Sequence, residues 1–101
     1  MNEKIVNATL NHLGMNVSDG AISFPFYKDL LGYLGYEIVR ESESSLGLRS
    51  GSTDIWLRET PAMNRQNGYH RRNTGLNHIA FGVPSRDDVD RFHEFFLNRE
   101  T

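Results

Sequence analysis

The stretch Leu-Asn-His-Leu-Gly-Met-Asn-Val at residues 10–17 returns, nearly unchanged, as Leu-Asn-His-Ile-Ala-Phe-Gly-Val at residues 76–83. The two copies align at one constant offset without a gap: His12 falls on His78, Val17 on Val83, Phe26 on Phe92 and Leu31 on Leu97. Self-similarity over a whole strand-and-helix unit marks an internal duplication, which restricts the chain to folds built from a repeated module. Each copy also alternates. Leu13, Met15 and Val17 fall on one face of the first, with His12, Gly14 and Asn16 on the other. In the second copy Ile79, Phe81 and Val83 oppose His78, Ala80 and Gly82. Each reads as a strand with one apolar face and one open face that carries a histidine.

After the first copy the spacing of Phe26, Tyr27, Leu30 and Leu31 predicts a helix, with Gly32 as a natural stop. Pro25 is tolerated near a helix start, so Ser23 is a plausible N-cap; a helix that starts at Asp19 instead should be kinked by Pro25. Strand-like segments follow at 36–40, 46–49 and 54–59, separated by the turn-forming stretches at 42–45 and 50–53. Residues 61–75 are polar and without period, longer than the usual connection inside a compact domain, and read as a linker or functional loop. Beyond the second copy, Ser85 to Asp88 has the form of a capping box, and Val89, Phe92 and Phe96 mark a helix face widened by Phe95 and Leu97. The expected organisation is α+β: a complete first βαβββ module over 1–60, a linker over 61–75, and a second module over 76–101 reduced to βα.

Composition narrows the function classes. A chain of 101 residues with a formal net charge of −2 has no electrostatic footprint for nucleic acid. With no cysteines, neither a disulfide nor a thiolate-ligated metal is available. The first ten residues lack the apolar core of a signal peptide, and no apolar run approaches the roughly 20 residues needed to span a bilayer. A cytoplasmic protein with no membrane partner is the expectation.

Four segments in order, Asn11–Asp19, Phe26–Tyr36, Asp54–Glu59 and Gly75–Phe96, resemble the vicinal oxygen chelate superfamily, which includes glyoxalase I, bleomycin-resistance proteins and extradiol dioxygenases. The resemblance covers essentially the whole chain. It implies paired βαβββ modules whose sheets curve around a cavity, and a divalent metal (Zn²⁺, Ni²⁺, Fe²⁺ or Mn²⁺) held from the first and last strands of each module. His12 and His78 occupy the two first-strand ligand positions, and neutral imidazole suits all four metals. The bland alternative for each is a half-buried strand histidine bonded to a neighbour.

The departures from the family pattern concern the carboxylates. The mid-strand glutamate slot reads Ile55-Trp56-Leu57, so tryptophan stands in place of the acid. Glu59 is the nearest carboxylate, as metal ligand or as the group that moves a proton. Its odd spacing from Trp56 puts it on the opposite face unless the strand bends. The segment that supplies the second carboxylate in the family lies beyond the residues matched here. Trp56 offers a flat wall for a ring-shaped ligand, and Asn16 and Tyr69 could add hydrogen bonds. With few charges expected near Trp56, flat apolar or aromatic molecules should be preferred over small anions. His70, Arg71 and Arg72 read as a solvated loop.

The resemblance leaves three function classes open: a metal-dependent lyase or dioxygenase acting on a small oxygenated molecule, a metal-free binding protein of the resistance type, and an inactive truncated relic. A shortened second module would leave an apolar face and a sheet edge uncovered. The partner to expect is then a second copy of the chain, in a homodimer with swapped elements.

Overall fold

The computed structural model describes residues 6–70 and 72–99. It divides between Asn67 and Gly68 into two compact units. The first holds β1 (His12–Val17), α1 (Gly20–Tyr33), β2 (Glu37–Glu41), β3 (Ser45–Ser50), β4 (Thr53–Glu59) and the one-turn helix α2 (Ala62–Arg65). The second holds α3 (Arg86–Arg99). This is the βαβββ module followed by a short helix and a C-terminal helix.

The four strands lie in the order β1-β4-β3-β2. β1 runs parallel to β4, with His12 opposite Asp54 and Asn16 opposite Arg58. β4, β3 and β2 form an antiparallel meander through two tight hairpins. The β3–β4 hairpin turns on Gly51 at φ +59°, the left-handed conformation that a glycine reaches without a Cβ clash. In β2 the pairing slips: Ile38 faces Leu48 and Arg40 faces Gly47, so Val39 is an extra residue in a bulge.

Strict alternation then sorts the sheet into two faces. Leu46, Leu48, Ile55 and Leu57 form one core with Phe24 and Leu31 of α1, and Met15 and Val17 pack against it. The helix is what makes this face dry, and burying these side chains is worth about 1.5–3 kcal/mol each. The other face is the one turned away from α1.

The helix starts at Asp19, not Ser23. Asp19 Oδ1 accepts the Ala21 N–H at 3.0 Å, while Glu59 Oε2 accepts the Gly20 N–H at 2.9 Å. Two carboxylates thus satisfy the first orphan donors and complement the helix dipole, which outweighs the local preference for Ser23. The helix runs on through Pro25 and past Gly32. It stops at Gly35 (φ +94°), with the Tyr36 N–H bonded to the Leu31 carbonyl and the Gly35 N–H to the Gly32 carbonyl. This paired closure is the Schellman arrangement, and Tyr36 supplies its apolar contact to the core.

In the second unit, Ser85 Oγ accepts the Asp88 N–H at 3.3 Å and donates to Asp88 Oδ2 at 3.0 Å, so the expected cap forms at the start of α3. The Phe92 and Phe96 rings meet at a tilt of 46° with centroids 4.7 Å apart, and Phe95 meets Phe96 edge-on at 4.9 Å. Residues 76–83 carry the alternation of a strand but join no ladder among the described residues. Alternation selects which side chains share a face; a strand also needs a hydrogen-bonding edge to pair with, and here none is engaged.

Pro25 gives a direct check on the helix register. Inside α1 it removes the N–H that would bond to the Ala21 carbonyl. Pro25→Ala should therefore stabilise the fold by about 1–3 kcal/mol, read as a raised denaturant midpoint. A helix that began at Ser23 would place Pro25 in its first turn and gain nothing.

Candidate functional site

The open face of the first unit is organised in cross-strand rows. His12, Asp54, Arg49 and Glu37 form one; Gly14, Trp56, Gly47 and Arg40 form the next; Asn16, Arg58 and Ser45 form a third. Trp56 sits at the centre. A Cβ built on Gly47 would lie within 3.0 Å of three atoms of the indole six-membered ring, so the ring lies flat across that glycine. On the other side, a Cβ at Gly14 would meet nothing within 4 Å, which leaves free space next to the indole. Trp56 itself is half-buried, with one face of the ring covered by backbone.

Asp54 stands two positions before Trp56 on the same face. Arg49 grips its carboxylate through Nε at 2.7 Å and Nη2 at 3.1 Å, the bidentate geometry that guanidinium and carboxylate share. These hydrogen bonds hold the Asp54 carboxyl below its usual value of 3.8, against the opposing effect of partial desolvation. The Arg49 charge, a hydrogen bond from Trp56 and the His12 charge act in the same downward direction. The Arg49–Asp54 pair thus fills the row beside the indole, while Gly47 receives the six-membered ring.

His12 stands beside Asp54, exposed, with Nδ1 2.8 Å from Asn11 Oδ1. His78, in the second unit, repeats this bond to Asn77 Oδ1 at 2.8 Å. With an amide oxygen accepting, Nδ1 is the donor in both copies and Nε2 takes no part in this bond. Asn16 is exposed on the same face as His12. Glu59 is not on that face. Its register partner is Val17, its Oε2 accepts the Gly20 N–H, and its Oε1 lies 3.8 Å from Arg65 Nη2. The strand does not bend to carry it round, because the α1 N-terminus holds it on the helix side. Tyr69 belongs to the second unit and is 74% exposed. His70 Nδ1 accepts the Arg72 N–H, and Arg71 lies outside the described residues.

The donor set around His12 does not fit a divalent metal. Asp54 is held by Arg49, the family's glutamate slot is filled by Trp56, and Glu59 caps a helix on the other face. Among the described residues no three His, Cys, Asp or Glu side chains converge as a metal site would require. The expectation of few charges near Trp56 also fails, since Arg40, Arg49 and Arg58 all stand on its face. The alternation Asp54-Trp56-Arg58 was readable in the sequence. Arg49 depended on the length of the β3–β4 turn, and Arg40 on the bulge at Val39.

Comparison with known proteins agrees with this architecture. The family model for the Glyoxalase/Bleomycin resistance protein/Dioxygenase superfamily matches residues 9–99. A glyoxalase candidate from Bacillus halodurans is 33% identical, with a TM-score of 0.83 over 89% of this chain and 68% of that one. A second such candidate, from Bacillus cereus, is 16% identical, with a TM-score of 0.67 over 92% of this chain and 75% of that one. Lactoylglutathione lyase from Agrobacterium tumefaciens is 17% identical, with a TM-score of 0.59 over 95% of this chain and 72% of that one. At these last two identities the likeness is one of fold alone. No curated protein matches. The chain belongs to the glyoxalase/bleomycin resistance protein/dioxygenase superfamily. No helix among the described residues is long and apolar enough to cross a membrane.

The Arg49–Asp54 pair has a signed pH dependence. Its folded pKa lies below the unfolded one, so the stabilisation is complete above the unfolded value and is lost as pH falls through the folded one. Because Trp56 is the single tryptophan and stands in the row beside Asp54, its emission reports on the charge of that carboxylate. The emission should stay constant from neutral pH down past 3.8 and change only below it. Asp54→Asn should shift the emission at neutral pH and abolish the acid step. A step at or above 3.8 in the wild-type protein would contradict the pairing of Asp54 with Arg49.

Proposed function

We propose that the open face of the βαβββ sheet binds a small flat molecule without a metal, with the Trp56 indole as its platform. The observation that carries this reading is the seat of the Trp56 ring, flat across Gly47. A ring held in this way loses little freedom when a ligand stacks on it, and stacking of aromatic planes is worth about 0.5–1.5 kcal/mol beyond area burial. Gly14 leaves room beside the ring, Asn16 offers an amide, and His12 offers an Nε2 acceptor. The face therefore combines one apolar plane with a few oriented polar groups, the usual composition of a small-molecule site.

A second reading, in which His12 and His78 serve as ligands of Zn²⁺, Ni²⁺, Fe²⁺ or Mn²⁺ with Glu59 as the carboxylate, draws support from the twin Asn–His bonds, which engage Nδ1 and not Nε2 in both copies. It ranks second because Glu59 is engaged at the α1 N-terminus.

One titration separates the two. para-Nitrobenzamide is flat, neutral and an efficient quencher of indole emission. In the presence of a chelator it should quench Trp56 saturably, and an aliphatic α-ketoaldehyde should not. Quenching that stays linear in concentration would overturn the proposal. Saturable quenching that appears only after Ni²⁺ or Zn²⁺ is restored, and disappears in His12→Ala, would favour the metal reading.

A further inference from the structure

The cations of the first unit divide into two groups. Among its described residues, Lys28 pairs with Glu41, Arg49 with Asp54 and Arg65 with Glu59. Arg40 and Arg58 have no hydrogen-bonded or ionic partner among the described residues, and both are exposed. Both stand on the open face. Arg58 follows Trp56 by two positions on β4, and Arg40 lies across Gly47, the residue the indole covers. Neighbouring strands are about 4.8 Å apart and alternate residues about 6.8 Å apart along a strand, so both guanidinium stems start within one side-chain length of the indole edge. The bulge at Val39 is what turns Arg40 to this side, since an unbroken β2 would put it with Ile38 on the helix side.

The carboxylates of this face are placed differently. Asp54 and Glu37 both lie in the row of Arg49, at the His12 end. Three guanidinium groups thus face two carboxylates, and the positive charge left over is concentrated on the rows of Trp56 and Arg58. A planar fork that is always charged and has no internal partner suits one ligand group above others, a carboxylate or similar planar oxyanion.

We propose that the site selects planar anions: the ring of an aromatic or conjugated carboxylate lies on Trp56, and its carboxylate is taken by Arg58 or Arg40. This rests on Trp56 as the ligand platform and adds the substrate class and the two residues that set it. A neutral flat molecule would keep the stacking and lose the charge-assisted bonds.

The test compares para-nitrobenzoate with para-nitrobenzamide, nearly identical in shape, by quenching of Trp56. In the wild-type protein at low salt the benzoate should bind about tenfold more tightly, the factor that corresponds to 1.4 kcal/mol. Added sodium chloride should shrink that ratio, because exposed charge pairs are screened. In Arg40→Gln/Arg58→Gln the ratio should fall to near one. Both residues are exposed and unpaired, so the fold does not depend on them, and the salt series provides a second measurement that needs no variant. Equal binding of the two probes by the wild-type protein would overturn this proposal and leave the platform standing. A preference for the benzoate that survives both substitutions would also overturn it. Saturable quenching by neither probe would overturn the platform as well.

Discussion

One-sided burial governs this module. Leu46, Leu48, Ile55 and Leu57 are buried against Phe24 and Leu31, and this single apolar layer supplies the core of the first unit. Because side chains alternate along every strand, burying these residues commits their neighbours to the opposite face. Once Ile55 and Leu57 are inside, Asp54, Trp56 and Arg58 must be outside. A shift of one residue in the β3–β4 register would exchange the two sets, placing Arg58 and Asp54 against the helix at a prohibitive desolvation cost.

The same constraint explains why Trp56 becomes a flat platform. An indole on an uncovered sheet face exposes a large apolar surface to water unless it lies down on its neighbours. Gly47, directly opposite in the ladder, is the residue type that lets it do so. Arg49 and Asp54 fill the next row: the ion pair is exposed and contributes little to stability by itself, and it occupies the His12 end of the face beside the indole. Glu59 plays the complementary part on the covered face, where it closes the N-terminus of α1 and couples the last residue of β4 to the first residue of the helix.

Local pattern carried much of this and non-local contacts carried the rest. The two faces of β1 and β4 and the opposite-face position of Glu59 follow from period-two alternation in short segments, and the helix of the βαβββ order from the spacing of Phe26, Tyr27, Leu30 and Leu31. The start of α1 does not, because Gly20 is satisfied by a carboxylate from a strand far along the chain, and no local rule favours Asp19 over Ser23 on that account. Arg40 is hidden for a related reason: a bulge inverts parity, and the stretch around Val39 carries no glycine to announce one. At residues 76–83 the pattern was correct for a strand, but pairing is a property of two segments and alternation reports only one. The paired histidines were visible as a repeat; that each bonds the preceding asparagine became visible only in three dimensions.

The central claim is that small molecules meet this module on the face left bare by α1, at an indole held in place before they arrive. Trp56 gives a single indole N–H resonance, which makes a ¹H–¹⁵N correlation spectrum the most direct measurement. Addition of para-nitrobenzamide should displace that resonance together with the amides of Gly14, Gly47 and Arg58, and leave those of α1 from Phe24 to Leu31 in place. Displacements confined to the α1 amides, with the indole resonance unmoved, would contradict the account.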